Sequence, residues 1–337
     1  MDHDQQRLWE EMLEEFRALG GVAENIRLDD GPLGRGLFPI DAASPIRIFI
    51  PESLLLESKY IHVEDGALRI AAEAPMGARE KAFLENYQRD FSWGVSRQDT
   101  EALLQMIQEA PAELRDFLSS PLDASDWLAG PAPLAVAHRF LSARVYRYKG
   151  SPVIMPIVEL ANHGFGTEYD DEGGIGLSGQ FADEILVQYS LGDPLGIFLN
   201  WGFASPLEPI ALSLAMRLDT PSGPLIIKRE PLPATPGETP FVPEASFEAG
   251  ELSLSNVLLG HKQMPRTPRS AFYQIMRHLG RSGAEETFEA IQHINRLQFY
   301  RLDALSESAA PALGRLLRDV ARYQLESMSH CIGSDPS

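Results

Sequence analysis

The apolar residues of this chain change period twice, and that change limits the folds open to it. Short extended pieces run over 25–28, 36–39 and 47–50, the last closed by Pro51. From Ala78 to about Ser120 the pattern turns helical, with Phe83, Leu84, Tyr87 and Phe91 on one face and Leu103, Leu104, Met106 and Ile107 on another. A further helix is expected over 134–146, then strands over 153–157 and 184–189. Strands interrupted by a helical block and then resumed predict an α+β protein, with a β-rich domain carrying a helical insertion.

Either side of this block the signals are simpler. Leu8, Trp9, Met12, Leu13, Phe16 and Leu19 recur at helical spacing until Gly20-Gly21 stops them. Past Ser205 the character changes. Residues 210–218 and 225–229 read as a hairpin around Thr220-Pro221-Ser222-Gly223, and the proline-rich stretch 231–243 as an ordered loop or linker. Three amphipathic helices follow, over 271–279, 284–305 and 309–329, and the tail 333–337 is expected to fray.

Composition narrows the function. At 337 residues, 44 % apolar and 23 % charged, the chain has the make-up of an ordered globular protein with a proper core. It has no apolar run of the roughly 18–20 residues that a membrane helix needs. The first residues have neither the basic start nor the apolar stretch of a signal peptide, so a cytoplasmic chain is expected. Forty-eight acidic against 29 basic residues give a net charge of −19. A field of that sign repels nucleic acid and anionic membranes and draws in basic partners, although solubility alone accounts for it more simply. The single cysteine, Cys331, excludes an internal disulfide framework and a Cys-built zinc site. The eight histidines show no His-Glu-x-x-His spacing, so no metal is expected.

Four segments carry candidate chemistry. The first is Gly31-Pro32-Leu33-Gly34-Arg35-Gly36-Leu37-Phe38, where glycines let backbone approach a ligand closely; alone it reads as a plain hairpin turn. The second, Phe140-Leu141-Ser142-Ala143-Arg144-Val145-Tyr146, puts Arg144 at a helix end, where the helix dipole also favours it. The third, Pro156-Ile157-Val158-Glu159-Leu160-Ala161-Asn162-His163-Gly164, runs from an apolar strand into a polar turn. There Asn162 offers two donors and an acceptor, and His163 alone would read as an ordinary loop histidine. The fourth, Glu184-Ile185-Leu186-Val187-Gln188-Tyr189, leads on to Ile197-Phe198-Leu199-Asn200-Trp201-Gly202-Phe203. One further run, Gly174-Ile175-Gly176-Leu177-Ser178-Gly179, matches the dinucleotide fingerprint in letters only. It follows acidic residues rather than a strand and leads to no long helix, so it reads as a glycine-rich hairpin.

In order, spacing and flanks, the four segments resemble the signature segments of SET-domain methyltransferases, in the subfamily typified by the plant Rubisco large-subunit lysine methyltransferase. The resemblance covers nearly the whole chain. It implies a β-rich SET domain with pseudoknot-like threading and a helical insertion, followed by a mainly α-helical C-terminal domain. The expected divisions are 1–77 and 134–203 for the SET domain, 78–133 for the insertion and 204–330 for substrate binding. It implies S-adenosyl-L-methionine as cofactor, held by Leu33, Gly34, Arg35, Arg144, Asn162, His163 and Tyr189. Arg144, Glu159, Gln188 and Trp201 would face the substrate, and Tyr189 would be catalytic, its hydroxyl orienting the target nitrogen. The implied activity is lysine N-methylation of a protein, for which the acidic charge suggests a basic target, by a monomer. Four positions depart from the family pattern: Pro32 for a glycine, Glu159 for an aspartate, Gly164 for a serine common there, and Trp201 for a second tyrosine. Two alternatives stay open: an impaired SET-derived module that binds a basic protein segment, and a protein-histidine methyltransferase.

Overall fold

Trp9, Met12, Leu13 and Phe16 fall on one side of the first helix and are all buried, which sets where the N-terminal core lies. The computed structural model describes residues 3–119, 132–165, 167–189, 192–230, 242–248 and 251–332. Of the proline-rich stretch, 231–241 lies outside the described residues, as do 120–131 of the helical block and the tail 333–337. In chain order the first elements are α1 (His3–Ala18), β1 (Val22–Glu24), β2 (Ile26–Gly31), β3 (Gly34–Pro39), β4 (Ile46–Pro51), β5 (Leu56–Glu57), β6 (Ile61–Glu64) and β7 (Ala67–Ile70). Then come α2 (Ala78–Phe91), α3 (Trp93–Gln108), α4 (Ala112–Ser119), α5 (Pro133–Ser142), β8 (Val145–Tyr148), β9 (Ser151–Ile154), β10 (Asn162–His163), β11 (Gly174–Gly179), β12 (Leu186–Val187) and α6 (Pro194–Trp201). The rest are β13 (Ile210–Leu212), β14 (Met216–Thr220), β15 (Gly223–Lys228), β16 (Ala245–Glu248), β17 (Glu251–Ser255), β18 (Leu258–His261), α7 (Thr267–His278), α8 (Ala284–Ser306) and α9 (Pro311–Ser329). The protein is α+β. Two compact units divide it, 1–102 with 131–189 and 103–130 with 190–337.

The first unit is built of small sheets rather than one large one. They are β1-β4-β11, β5-β9-β8, the hairpins β2-β3 and β6-β7, and the two-residue pair β10-β12. An aromatic ladder fills the space beside them. Phe83 stacks on Phe16 with ring centroids 6.0 Å apart, Tyr87 on Phe83 at 6.4 Å and Phe91 on Tyr87 at 6.4 Å, while Trp9 meets Phe91 edge-on at 5.3 Å. Each such buried ring contributes on the order of 1.5–3 kcal/mol through burial alone. The helical face read from the sequence is therefore the face that packs.

Several local expectations change. The helix expected over 134–146 stops at Ser142, because Val145-Tyr146-Arg147-Tyr148 pairs with Ser151–Ile154 instead. Lys149 and Gly150, at φ 48° and 87°, make the left-handed two-residue turn that matches strand twist. Asp65-Gly66 does the same between β6 and β7, a signal present in the sequence and not used. The glycine run 174–179 is a full strand, paired antiparallel with Ile46–Pro51, and not a hairpin. Of the strand expected over 184–189, only Leu186 and Val187 enter a ladder.

In the second unit the sheet β14-β15-β17-β16 stands with the pair β13-β18 and helices α7, α8 and α9. The hairpin expected around 220–223 is there, and β17 lies parallel to β15. Asp193 joins its parts. One carboxylate oxygen accepts from Gly196 N–H at 2.8 Å and caps α6, while the other accepts from Leu212 N–H at 3.2 Å and Gln324 Nε2 at 2.7 Å. Arg229 pairs with both oxygens, its side chain only 10 % exposed against 0 % for Asp193. Among the described residues, no helix is long and apolar enough to cross a membrane.

Removing one partner of a buried ion pair strands the other charge, at a cost of about 3–5 kcal/mol. Asp193→Ala is accordingly expected to lower stability by about that amount in denaturant titration. A loss below about 1 kcal/mol, the range of exposed pairs, would show that Asp193 does not hold the unit together.

Candidate functional site

Three segments far apart in sequence are laced together by backbone hydrogen bonds in the first unit. Asn162 and His163 run parallel to Leu186 and Val187, and Gly164 N–H donates to Val187 C=O at 3.0 Å. Ile185 N–H donates to Leu37 C=O at 2.8 Å, which ties the tyrosine strand to the β2-β3 hairpin. At the tip of that hairpin Pro32 and Leu33 form the two-residue turn between Gly31 and Gly34. Pro32 occupies the second turn position, where its fixed φ is favoured, and Gly34 takes the positive φ of 96° that follows. The departure at Pro32 thus fits the backbone.

Asn162 is held on one side only. Its Nδ2 donates to Glu184 Oε1 at 2.6 Å and to Arg35 C=O at 3.3 Å. Both partners are acceptors, so both amide hydrogens are used inside the protein and Oδ1 is the atom turned the other way. Asn162 therefore presents an acceptor to a ligand, not the donors that the residue type alone suggests. Gly36 makes the approach possible, since a Cβ there would lie 2.4 Å from Glu184 Oε1 and 2.6 Å from Asn162 Nδ2.

Tyr189 and His163 sit beside this clamp. His163 Nδ1 accepts from Tyr189 N–H at 3.3 Å, and the two rings lie 5.2 Å apart. Tyr189 hydroxyl donates to Ala161 C=O at 2.9 Å. Burial pushes its pKa up to about 12, with Arg144 working against the shift and Glu159 and Glu184 adding to it, so the phenol stays neutral. The departure at Gly164 also has a cause: a Cβ there would stand 2.7 Å from Leu186 Cβ and Cδ1.

Arg144 comes from the end of α5, stacked 4.0 Å over the Phe140 ring. Arg35 donates to Phe91 C=O, and burial, with repulsion from Arg144 adding to it, lowers its pKa despite nearby Tyr87, Asp30 and Glu159. Burial and Arg144 together bring Arg139 down to about 9. Glu159 is the acidic neighbour that recurs through this group. Burial pushes its carboxyl above the ordinary range, and Arg144 pulls it back, followed by Ser92, Tyr87 and Gln88. It follows two residues after Ile157, which is bent into a γ-turn at φ 70°, ψ −61° with Val158 N–H donating to Pro156 C=O at 2.9 Å. A β-branched residue at positive φ is a strained outlier that surrounding structure must hold in place.

The structure brings Arg35, Arg144, Glu159, Asn162, His163 and Tyr189 into one region, with Gln188 N–H bonded to Thr167 C=O at 3.3 Å alongside. Leu33 lies at the hairpin tip, 57 % exposed, and Gly34 beside it. Trp201 ends α6 and belongs to the second unit. Sequence reading missed Glu184, the partner that orients Asn162, and Arg139, Tyr87, Gln88 and Ser92. Chemically, the region offers acceptors at Asn162 Oδ1 and Glu184 next to guanidiniums at Arg35 and Arg144. Arg35 belongs to both halves, through its carbonyl and its side chain. Such a pairing suits a zwitterion, a carboxylate and an ammonium on one carbon. Among the described residues, no group of three or more His, Cys, Asp or Glu could hold a metal ion.

No protein-family model and no curated protein sequence matches the chain. Among solved structures, it is similar to the SET domain of LSMT bound to lysine and AdoHcy, at 12 % identity and a TM-score of 0.40, over 95 % of this chain and 89 % of that one. It is likewise similar to Rubisco LSMT bound to AdoMet, at 12 % identity and a TM-score of 0.41 over the same shares of the two chains.

Proposed function

We propose that this chain is a SET-type protein methyltransferase that uses S-adenosyl-L-methionine to methylate lysine. The observation that carries the reading is the orientation of Asn162. Its amide hydrogens are taken by Glu184 and Arg35 C=O, so an acceptor beside a carboxylate faces the ligand while guanidiniums stand nearby. That arrangement fits the amino-acid end of the cofactor: Asn162, Glu184 and the Arg35 carbonyl would hold its ammonium, and Arg35 and Arg144 its carboxylate. The cofactor supplies an electrophilic methyl group on sulfonium sulfur.

The protein's own part is positioning. Tyr189, neutral and anchored on Ala161 C=O, fixes the floor against which a target nitrogen is placed, with Glu159 and Gln188 alongside. Orientation of two bound reactants and preorganised dipoles can supply most of the acceleration of such a displacement. The target would be a basic protein segment. In support, Glu168 and Asp171 are close enough to Tyr146, itself 5.1 Å from the Tyr169 ring, to raise its pKa further after burial has done so. Residues 204–330 would contribute substrate recognition, with the chain acting as a cytoplasmic monomer.

Calorimetry with S-adenosylmethionine is the first check. The wild type should bind, and Asn162→Ala should bind about 1–3 kcal/mol more weakly, because the acceptor is lost and Glu184 is left without its donor. No heat and no thermal shift at saturating cofactor would remove the reading. Tyr189→Phe should leave melting temperature and cofactor affinity nearly unchanged while methyl transfer into host lysate proteins falls by about 10²–10³. Because the phenol titrates near 12, the ratio of wild-type to mutant rate should stay constant from neutral to mildly alkaline pH. Undiminished transfer by the mutant would exclude Tyr189 from the chemistry; cofactor binding without transfer by either protein would favour a binding module.

A further inference from the structure

Four buried polar atoms beside the site make no hydrogen bond of good geometry: Tyr87 hydroxyl, Gln88 Oε1, Ser92 hydroxyl and Glu159 Oε2. Tyr87, Gln88 and Ser92 are 0 %, 4 % and 1 % exposed. They come from the end of α2 and its cap, and they meet Glu159 from the next-but-one sheet connection. Gln88 Nε2 donates to Glu159 Oε1 at 3.4 Å, a long bond, and the Ser92 and Tyr87 hydroxyls lie close enough to favour the charged carboxylate without closing bonds of good geometry to it. A buried carboxylate oxygen whose donors are this poorly placed is costly, and a proton or a better-placed donor relieves that cost. The turn that carries it, 158–160, ends at Ala161, whose carbonyl holds Tyr189 hydroxyl. The strained γ-turn at Ile157 sets the direction in which that turn leaves the strand.

Resting on the methyltransferase reading, we infer that Glu159 takes up the proton that the target nitrogen must shed, and that Tyr87, Gln88 and Ser92 are the bed in which it does so. A lysine side chain arrives as an ammonium, which has no lone pair to offer. In the proposed step an N–H bond of that ammonium breaks and an O–H bond forms on Glu159 Oε2. The nitrogen keeps the electron pair, which then forms the new N–C bond to the sulfonium methyl, while the C–S pair departs with sulfur as a neutral thioether. Burial raises the Glu159 pKa and so makes its carboxylate a stronger base than an exposed one, and the proton passes to solvent after product leaves. Tyr87, Gln88 and Ser92 are positioning residues: they touch Glu159 and not the reacting atoms.

The test uses full-length protein labelled with carbon-13 at the glutamate carboxyls and loaded with S-adenosylhomocysteine. One carboxyl resonance should titrate above the ordinary glutamate range and be missing from Glu159→Gln. At neutral pH, n-butylamine, a mimic of the lysine side chain, should move that resonance toward its protonated position, whereas tetramethylammonium, which has no proton to give, should not. A resonance that ignores n-butylamine, or answers both cations alike, overturns the proposal whatever the activity. Tyr87→Phe and Ser92→Ala keep the carboxyl and should move its titration upward, since each removes a donor that favours the charged form. In methyl transfer, Glu159→Gln should retain cofactor affinity and lose about 10²–10⁴ in rate at neutral pH, recovering as pH rises toward the amine's own value. An equal loss at every pH would make Glu159 a positioning group only and sink the proton-acceptor role. If the wild type binds no cofactor, the methyltransferase reading itself fails; if it binds and the carboxyl stays silent, only this inference fails.

Discussion

A ladder of two residues holds the candidate site together. Among the described residues, Asn162 and His163 pair with no strand other than Leu186 and Val187, and the chain between them supplies β11 to a different sheet. Because the ladder is so short, side chains complete it. The Asn162 amide ties β10 to Arg35 C=O and Glu184 at once, and Ile185 N–H ties β12 to Leu37. Hairpin, Asn-His segment and tyrosine strand are thus a single cross-braced object, and each brace is a hydrogen bond to a neutral or acidic acceptor. Loss of the Asn162 amide would undo two braces together.

Electrostatics in this region run against the character of the whole chain. The molecule carries a net charge of −19, yet Arg144 repels both Arg35 and Arg139, with Glu159 as a nearby buried acid. Mutual repulsion among half-buried cations raises their readiness to accept an anion, which is a usual way for a protein to hold a carboxylate. Tyr189 experiences both signs, Arg144 lowering its pKa and the two glutamates raising it, and burial decides the outcome. A neutral phenol is the result.

What the sequence made legible was what period and local chemistry encode. The face Phe83, Leu84, Tyr87, Phe91 packs as its spacing says, and the Asn-His and tyrosine segments meet as their order suggests. What stayed hidden depends on partners far away in the chain. Glu184 looks like the polar start of a strand, and nothing in its neighbours says that it will receive the amide of a residue 22 positions earlier. A helical face reports that Tyr87 is buried but not what its hydroxyl meets. Ile157 is harder still, because a β-branched residue is the last type that a positive φ would lead one to expect. The helix end at Ser142 was missed for a milder reason: Val145-Tyr146-Arg147-Tyr148 is apolar enough to extend the helical pattern, and only the Lys149-Gly150 turn marks it as a strand.

The contact between position 164 and Leu186 has a consequence for how this site can vary. With no side chain at 164, Leu186 lies where a Cβ would be, so the two positions share one volume and cannot both be large. A serine at 164, common in the proteins that this segment resembles, would require a smaller residue at 186. Leu186 is also the ladder partner of Asn162. Size at 164 is therefore transmitted, through one neighbour, to the amide that faces Glu184. The two positions should change as a pair among variants that keep the site, and a library that randomises one of them alone would recover almost nothing larger than glycine at 164.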